Sequence, residues 1–509
     1  MSENLTGLIK IVGISILLVT LWIILSVYVP EKFLSPNNVE NLLRRTALYG
    51  ILGVGVAFVI MTSGIDLSLG SLVCLCGCLL AIFLRVDYQP VRQADVWAIS
   101  AEKQTVVIPA NTPLEPGQSV RLYNARKARN LIAKIESVQS VQVNGQAGLE
   151  LKLDQKPSRD DAAESSVKSI GKLVPVFAVA SVSNPAADAS GKTPSSEVVV
   201  AAEKLGLQPR DRLLLVSTKG GIAEKTIASV EETGGQTQVT LKDGAGEIDE
   251  QWQAIPVRRA QRMSVPAAVG LVLSIAAGLG LLHGLLVTKL GQQPFVVTLC
   301  GLLIYRGLSR RLSNDQVLGF GDEYADSLNA LATGRWVIWE AADGGSSFGI
   351  PYVFFILLGV AALAAVFLNL TIWGRYILAL GKNQEAARYS GINTDRMICL
   401  TYVLCALITG LGGLLHAIDA NSISPSSFGN WFELWAIAAA VLGGCSLRGG
   451  EGGIIGVIVG TALMQTLYNM IVLLKIPSEL EYVIIGAVIL IGVISDELIR
   501  RVAGAVRSR

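Results

Sequence analysis

The chain has 509 residues, of which 51% are hydrophobic and 16% charged, and its formal net charge is +2. A soluble protein of this size carries about 25% charged residues, so the composition argues against a wholly soluble chain. The net charge says nothing about nucleic acid, and no basic tract points to such a partner, so none is expected. The charge is also uneven: residues 87–262 hold 22 Lys/Arg and 21 Asp/Glu, over half of all charged side chains. This is the pattern of a helical membrane protein interrupted by one soluble region.

A spanning helix needs about 20 mostly apolar residues. In chain order, candidate spans lie at 8–29, 46–63, 66–86, 264–288, 295–308, 350–370, 397–417, 432–444, 453–475 and 480–499, ten in all. Two of them, 295–308 and 432–444, are short, as partial helices lining a pathway are. The first follows a lone Lys10 and has no small-residue cleavage site, so it reads as a retained helix. The division is therefore 1–86 with spans one to three, 87–262 as an insertion, and 263–509 with spans four to ten.

Loop charge sets the expected orientation. Loop 374–396 carries Arg375, Lys382, Arg388 and Arg396 against Glu385 and Asp395, and the tail adds Arg500, Arg501, Arg507 and Arg509, so both face the cytoplasm. Loop 311–349 is acidic, with Asp315, Asp322, Glu323, Asp326, Glu340 and Asp343, and faces out. Ten spans then put both termini in the cytoplasm and residues 87–262 outside. Arg44 and Arg45 run against this assignment, and an interfacial position for their long side chains accommodates them.

Within the insertion, short β-type runs recur. Val198–Val200 echoes Val106–Ile108, Leu213–Leu215 echoes Val120–Tyr123, Ile227–Val230 echoes Ile135–Val138, and Val239–Asp243 echoes Leu149–Asp154. The offset is about 89–93 residues, the signature of a repeat. Two similar small all-β barrels or sandwiches are expected, over about 96–156 and 190–257, with linkers at 155–172 and 181–197. The insertion has neither His nor Cys, which removes the commonest metal ligands and nucleophile–base pairs and leaves a binding or spacer module. Cys74, Cys76 and Cys78 are two apart, a spacing that does not share a helix face, and read as packing residues.

The polar groups inside the apolar segments are the candidate functional residues, since buried ionisable side chains in spans are costly. Ser63-Gly64-Ile65-Asp66 has capping-box spacing, in which Ser63 satisfies free N–H groups at a helix start. That role and lining of a pathway by Asp66, Ser68 and Ser71 are compatible. Glu433 either pairs or contacts a solute, and His283 and His416 read as packing residues with satisfied ring nitrogens. The Glu385-Ala386-Ala387 segment, ending at Gly391, reads as a short amphipathic helix closed by a glycine C-cap.

Four stretches together resemble one family. They are Gly64-Ile65-Asp66-Leu67-Ser68-Leu69-Gly70-Ser71; Pro294-Phe295-Val296-Val297-Thr298-Leu299 with Ile304-Tyr305-Arg306-Gly307-Leu308; Gly374-Arg375-Tyr376 through Asn383–Ile392; and Glu433-Leu434 through Gly443-Gly444, Ser446-Leu447 and Gly449-Gly450. In this order they are similar to the permease subunit of bacterial ABC importers for monosaccharides such as ribose, xylose or galactose. The resemblance covers about residues 8–86 and 264–499. It implies about ten transmembrane helices, a pair of permease subunits, a separate cytoplasmic ATPase and a periplasmic sugar-binding protein. It implies a pathway lined by Asp66, Ser68, Ser71, Thr298 and Glu433, and ATPase coupling through Asn383, Gln384, Glu385, Ala386, Ala387, Arg388 and Gly391. The chain departs from the family at His283, where Asn is frequent, at Trp435, where Asp is common, at Cys445, where Thr is usual, and in the insertion. No GxxxxGK[ST] loop occurs, so ATP is expected on the partner chain and no cofactor on this one. Two other readings remain: the same architecture for branched-chain amino acids or a signalling furanose, and a membrane-anchored envelope interaction protein working through the β insertion.

Overall fold

In the computed structural model, the described residues are 3–494 except 92, 101–102, 111–113, 125–128, 144–145, 156–170, 184–195, 201–204, 206, 218–221, 234–235, 243–251, 322–323, 341–346, 478–479, 481–482, 489 and 491–493. They form two compact units, Met1–Arg85 with Met263–Arg509, and Val86–Arg262.

The first unit is helical: α1 (Glu3–Tyr28), α2 (Pro30–Phe33), α3 (Pro36–Met61), α4 (Leu69–Phe83), α5 (Val265–Thr288), α6 (Pro294–Leu312), α7 (Ala330–Thr333), α8 (Tyr352–Leu370), α9 (Ile372–Lys382), α10 (Gln384–Tyr389), α11 (Thr394–Ala420), α12 (Phe432–Leu442) and α13 (Ile454–Leu473). Among the described residues, six helices are long and apolar enough to cross a membrane: α1 (over Ile11–Tyr28), α3, α5, α8, α11 and α13. The helices α4 and α12 are apolar but shorter. The expected span at 295–308 is a helix, α6, but Arg306, Arg310 and Arg311 lower its apolar character. Of the expected span 480–499, residues 480, 483–488, 490 and 494 are helical and the rest lie outside the described residues. Asp322, Glu323, Asp343 and the four tail arginines used for orientation lie outside them too.

Helix packing follows small residues. On α5, Ala268, Val272, Ala276, Gly280 and Gly284 recur every fourth position and are buried, while Leu271, Leu281, Leu282 and Leu285 point outward. A methyl group at Gly280 or Gly284 would press on the α11 backbone at Tyr402 or Cys399, so glycine there lets the two helices approach closely. The helix α3 is buried over its C-terminal half, and α1 is held to α13 by Trp22 Nε1 donating to Thr466 Oγ1 at 3.1 Å. Cys74, Cys76 and Cys78 are all buried in α4.

Arg44 and Arg45 have partners within the helical unit. Arg44 lies 3.6 Å from Glu40 and donates to the Thr333 carbonyl at 3.0 Å. Arg45 sits 5.0 Å above the Tyr468 ring. Glu40 also accepts from Arg335 at 2.7 Å, at the start of the hairpin β14 (Arg335–Glu340) with β15 (Ser347–Pro351). The acidic loop therefore contains ordered β structure that its composition did not predict.

The second unit is all β: β1 (Val86–Pro90), β2 (Ala94–Val96), β3 (Ala98–Ser100), β4 (Thr105–Pro109), β5 (Ser119–Asn124), β6 (Arg129–Val143), β7 (Gln146–Leu153), β8 (Gly171–Ser183), β9 (Ser196–Val200), β10 (Arg212–Ser217), β11 (Ile222–Thr233), β12 (Gln236–Leu241) and β13 (Trp252–Gln261). The repeat is visible in the pairing. The antiparallel pairs β4–β7, β5–β6, β6–β7 and β5–β8 have counterparts in β9–β12, β10–β11, β11–β12 and β10–β13. Even the bulge at Ile135/Ser137 recurs at Ile227/Ser229. Each set encloses its own apolar core, one around Val106, Ile108, Leu151 and Leu153, the other around Val198, Val200, Leu213 and Leu241.

The strand β8 was not foreseen. It runs through 171–172 and 181–183, which the composition assigns to linkers, and it pairs with β2 and β5 near its start and with β9 near its end. Residues 196–197 of the second linker are also strand, the start of β9, while 156–170 and 184–195 lie outside the described residues. The pair β1–β13 sets Val86 opposite Gln261, so the first and last strands of the unit lie side by side.

Candidate functional site

The loop between α3 and α4 is built around Asp66. Its Oδ1 accepts from the Ser68 N–H at 2.9 Å and from Ser68 Oγ at 2.7 Å, and Ser71 Oγ donates to the Ser68 carbonyl at 2.7 Å. The thiol of Cys405 on α11 lies 3.7 Å from the other carboxylate oxygen. Asp66, Ser68 and Ser71 are all buried. A carboxylate taking backbone and hydroxyl donors in this way satisfies polar groups that lipid would leave bare.

The expected capping box is absent. It needs the acid inside the first helical turn, three residues after the serine. Here α4 begins at Leu69, six residues after Ser63, and Ser63 instead donates to the Arg448 carbonyl at 2.7 Å. Asp66 takes the local role by closing an Asx-type turn two residues ahead.

Three further helices reach this loop. Thr298 on α6 is buried, and its hydroxyl lies 3.2 Å from the Ile65 carbonyl and 3.0 Å from the Pro294 carbonyl. His283 on α5 and Tyr305 on α6 share a 2.8 Å hydrogen bond, with rings 5.6 Å apart and 20° from parallel. A methyl group at Gly301 would meet both the His283 ring and the Ser68 Cβ, so those side chains lie together. Tyr402 on α11 stands edge-on to His283 with ring centres 6.2 Å apart. Its hydroxyl is buried without a hydrogen-bond partner and sits close to Gly64. A buried unpaired hydroxyl costs about 1–3 kcal/mol.

Glu433 reaches the same region from α12. The chain before α12 turns through Gly429 (φ 76°) and Trp431 (φ 68°). Arg306 on α6 holds this turn by donating to the Phe428 carbonyl at 2.6 Å and the Pro425 carbonyl at 3.2 Å. A methyl group at Gly70 would overlap both the Gly429 carbonyl oxygen and the Glu433 carboxylate. Glu433 thus lies at the first turn of α4, where free N–H groups favour an anion. We expect Gly70→Ala to destabilise the fold by about 1–3 kcal/mol through overpacking. Thermal unfolding of the detergent-solubilised protein checks this, and an unchanged midpoint would contradict the close approach.

His416 is a packing residue, with Nδ1 3.0 Å from the Gly412 carbonyl and its ring against Tyr49 and Phe432. Its Nε2 has no hydrogen-bond partner, which the sequence expectation of full satisfaction missed.

The second candidate element is α10. Asn383 caps it by accepting from the Ala386 N–H at 2.9 Å. At the other end Gly391 takes φ 85°, its N–H donates to Arg388, and the Ile392 N–H donates to Ala387. This is a Schellman closure, and only glycine takes that backbone without strain. Ala387 is buried in a small cluster with Leu380 and Met397, while Gln384, Glu385, Ala386 and Arg388 are exposed. Arg388 and Lys289 both reach Asp395, each at 3.2 Å. The helix is therefore anchored by one face and presents the other.

The structure brings Asp66, Ser68, Ser71 and Thr298 together, places Glu433 against Gly70 on the same helix end, and sets Asn383 to Gly391 apart as one capped element. Sequence reasoning missed Tyr305 and Tyr402 as members of the buried cluster, and Arg306 as the brace of the turn before α12. Their signal was polar aromatic or cationic character inside apolar segments.

Comparison with known proteins gives this arrangement its context. The family described as "Branched-chain amino acid transport system / permease component" matches residues 248–493. The ribose import permease protein RbsC of Escherichia coli is 36% identical over 231 residues, covering 45% of this chain and 68% of the relative. This chain belongs to that permease family. The permease is also 30% identical to the galactose/methyl galactoside import permease protein MglC of Escherichia coli over 236 residues, covering 46% of the chain and 68% of the relative. It is 34% identical to the L-arabinose transport system permease protein AraH of Escherichia coli over 215 residues, covering 42% of the chain and 61% of the relative. No solved structure matches the permease. The permease is thus a polytopic helical membrane protein that carries a β-rich unit.

Proposed function

We propose that this chain is the membrane permease subunit of an ABC importer for a monosaccharide, forming the pathway and coupling to an ATPase on another polypeptide. The observation that carries the reading is the identity to ribose, galactose and arabinose permeases, together with a family match over residues 248–493, which hold α6, α10 and Glu433. It is not itself an enzyme. Its partners are an ABC ATPase on the cytoplasmic side, which holds the ATP, a periplasmic sugar-binding protein, and a second permease subunit, which we read as an identical copy. The chain lies in the bacterial inner membrane as ten spans, with both termini cytoplasmic and residues 87–262 extracytoplasmic. We read the two β sets as small closed barrels, each around its own core.

In this reading the pathway passes the buried cluster of Asp66, Ser68, Ser71, Thr298 and Glu433. Sugar hydroxyls are both donors and acceptors, so a carboxylate, serine hydroxyls and the unpaired Tyr402 hydroxyl offer complementary partners. The exposed face of α10 is the ATPase contact, and Asn383 through Gly391 form the coupling segment. Uptake of labelled monosaccharides by cells lacking and regaining this gene tests the reading. We expect restored uptake of one monosaccharide. Restored uptake of leucine instead would favour the branched-chain amino acid reading, which the family description supports.

The β unit acts, in our reading, to hold the binding protein near the mouth of the pathway. Its ends meet in the β1–β13 pair, so residues 90–260 are removable with a short linker. We expect that deletion to weaken binding-protein affinity and to lower uptake at limiting sugar. Unchanged affinity and uptake would contradict this role. Loss of bound envelope proteins without any effect on uptake would favour the interaction-protein reading.

A further inference from the structure

Three chain segments meet at one point with almost no side chain between them. The first is the end of α3, Met61 to Ser63. The second is the end of α9, Gly381 and Lys382. The third is the turn 446–450 that leads towards α13. The Gly450 N–H donates to the Met61 carbonyl at 2.8 Å. Ser63 Oγ donates to the Arg448 carbonyl at 2.7 Å and lies 3.4 Å from the Gly381 carbonyl. A methyl group at Gly381 would overlap the Met61 carbonyl and the Gly450 nitrogen, and one at Gly449 would overlap Ser63 Oγ. Ser63 itself holds a left-handed backbone, φ 62°, as do Gly449 at 81° and Gly450 at 75°.

Each segment leads directly to a functional element. From Ser63 the chain reaches Asp66 in three residues. From Lys382 it reaches α10 through Asn383 alone, which is both the last cap of α9 and the first cap of α10. No flexible linker separates the exposed helix from the junction. The turn is braced internally, with the Gly449 N–H donating to Ser446 at 2.8 Å and the Ser446 N–H to Glu451 at 3.0 Å. Closely packed backbone has little room to absorb a displacement and passes it on.

We propose that this junction carries movement of α10 to the Asp66 loop, with Ser63 as the positioning residue that ties α3 to the other two segments. A push on α10 shifts the end of α9, which bears on Met61 and Ser63, and Ser63 shifts the turn that Asp66 closes. The inference rests on the reading of α10 as the ATPase-facing element.

The test uses the full chain with its ATPase and binding protein in proteoliposomes, reading substrate imported per ATP hydrolysed. Ser63→Ala removes one hydrogen bond. It should retain the ATPase and its hydrolysis but lower import per ATP by about fivefold. Ser63→Gly also removes the hydroxyl but relieves the left-handed strain. It should therefore show a thermal midpoint at or above that of the wild type and the same loss of coupling. A purely structural role for Ser63 predicts the opposite, coupling rescued by glycine, and that result overturns the proposal. Gly449→Ala should uncouple more strongly. Gly359→Ala, on α8 where a methyl group meets open space, should behave as wild type. If the ATPase stays bound and every Ser63 variant imports normally per ATP, the junction is overturned while the importer reading stands. If the wild-type chain binds no ATPase, the importer reading itself fails and the junction falls with it.

Discussion

Replacing Asp66 by Asn lowers substrate uptake by about tenfold at wild-type expression. Asn keeps the size of the side chain and one carbonyl oxygen, so the turn to the Ser68 N–H can persist. It loses the charge, and with it the charge-assisted bonds from the Ser68 N–H and Oγ. Hydrogen bonds to a charged group contribute about 1.5–3 kcal/mol, against about 0.5–1.5 kcal/mol for neutral pairs. The amide nitrogen would also face the Cys405 thiol, setting donor against donor where the carboxylate now accepts. A difference near 1.4 kcal/mol in the transport barrier is a factor of about ten. Initial uptake rates with the amount of permease measured in the same membranes check this. Wild-type rates would limit Asp66 to folding.

The second large effect is at α10. Gly391→Pro and Glu385→Lys are expected to separate ATP hydrolysis from uptake, by two physical routes. Proline fixes φ near −65° and has no N–H, whereas Gly391 sits at φ 85° and donates to Arg388. The Schellman closure is lost, because proline can neither take that backbone nor donate to Arg388, and the end of α10 unwinds. Glu385 is exposed in the first turn of α10, so reversing its charge leaves the helix folded and alters only the presented face. Uptake should fall by about tenfold or more in Gly391→Pro, a change of about 1.4 kcal/mol or more in the transport barrier. In Glu385→Lys hydrolysis by the assembled complex should continue while uptake drops. The pair separates loss of the helix from loss of its contact. Normal coupling in both variants would remove α10 from the mechanism.

These two elements were legible in the sequence because their information is local. Gly391 is a cap, and a cap acts on backbone within a turn of itself. The GIDLSLGS stretch stood out because a carboxylate between apolar spans is costly. The β repeat was legible for the same reason: the runs at 106–108 and 198–200 have the same alternation, and the structure gives them equivalent partners.

What escaped the sequence depends on partners far along the chain. Ser63 was expected to cap the helix after it, yet it bonds to Arg448, 385 residues away. Nothing near Ser63 signals that partner. Tyr305 gained meaning only when α6 placed it against His283, and Arg306 only when the turn before α12 offered its carbonyls. Arg44 and Arg45 seemed misplaced by loop charge, but Glu40, the Thr333 carbonyl and the Tyr468 ring receive them. The strand β8 was hidden because its ends run into polar stretches and its two halves pair with different β sets.

The most direct test of the central claim is purification of the full chain from its native host in mild detergent, with mass spectrometry of what remains bound. Recovery of an ABC ATPase in near-equal amount is the predicted result. A chain recovered reproducibly without any ATPase, while cells carrying it still take up sugar, would contradict the account.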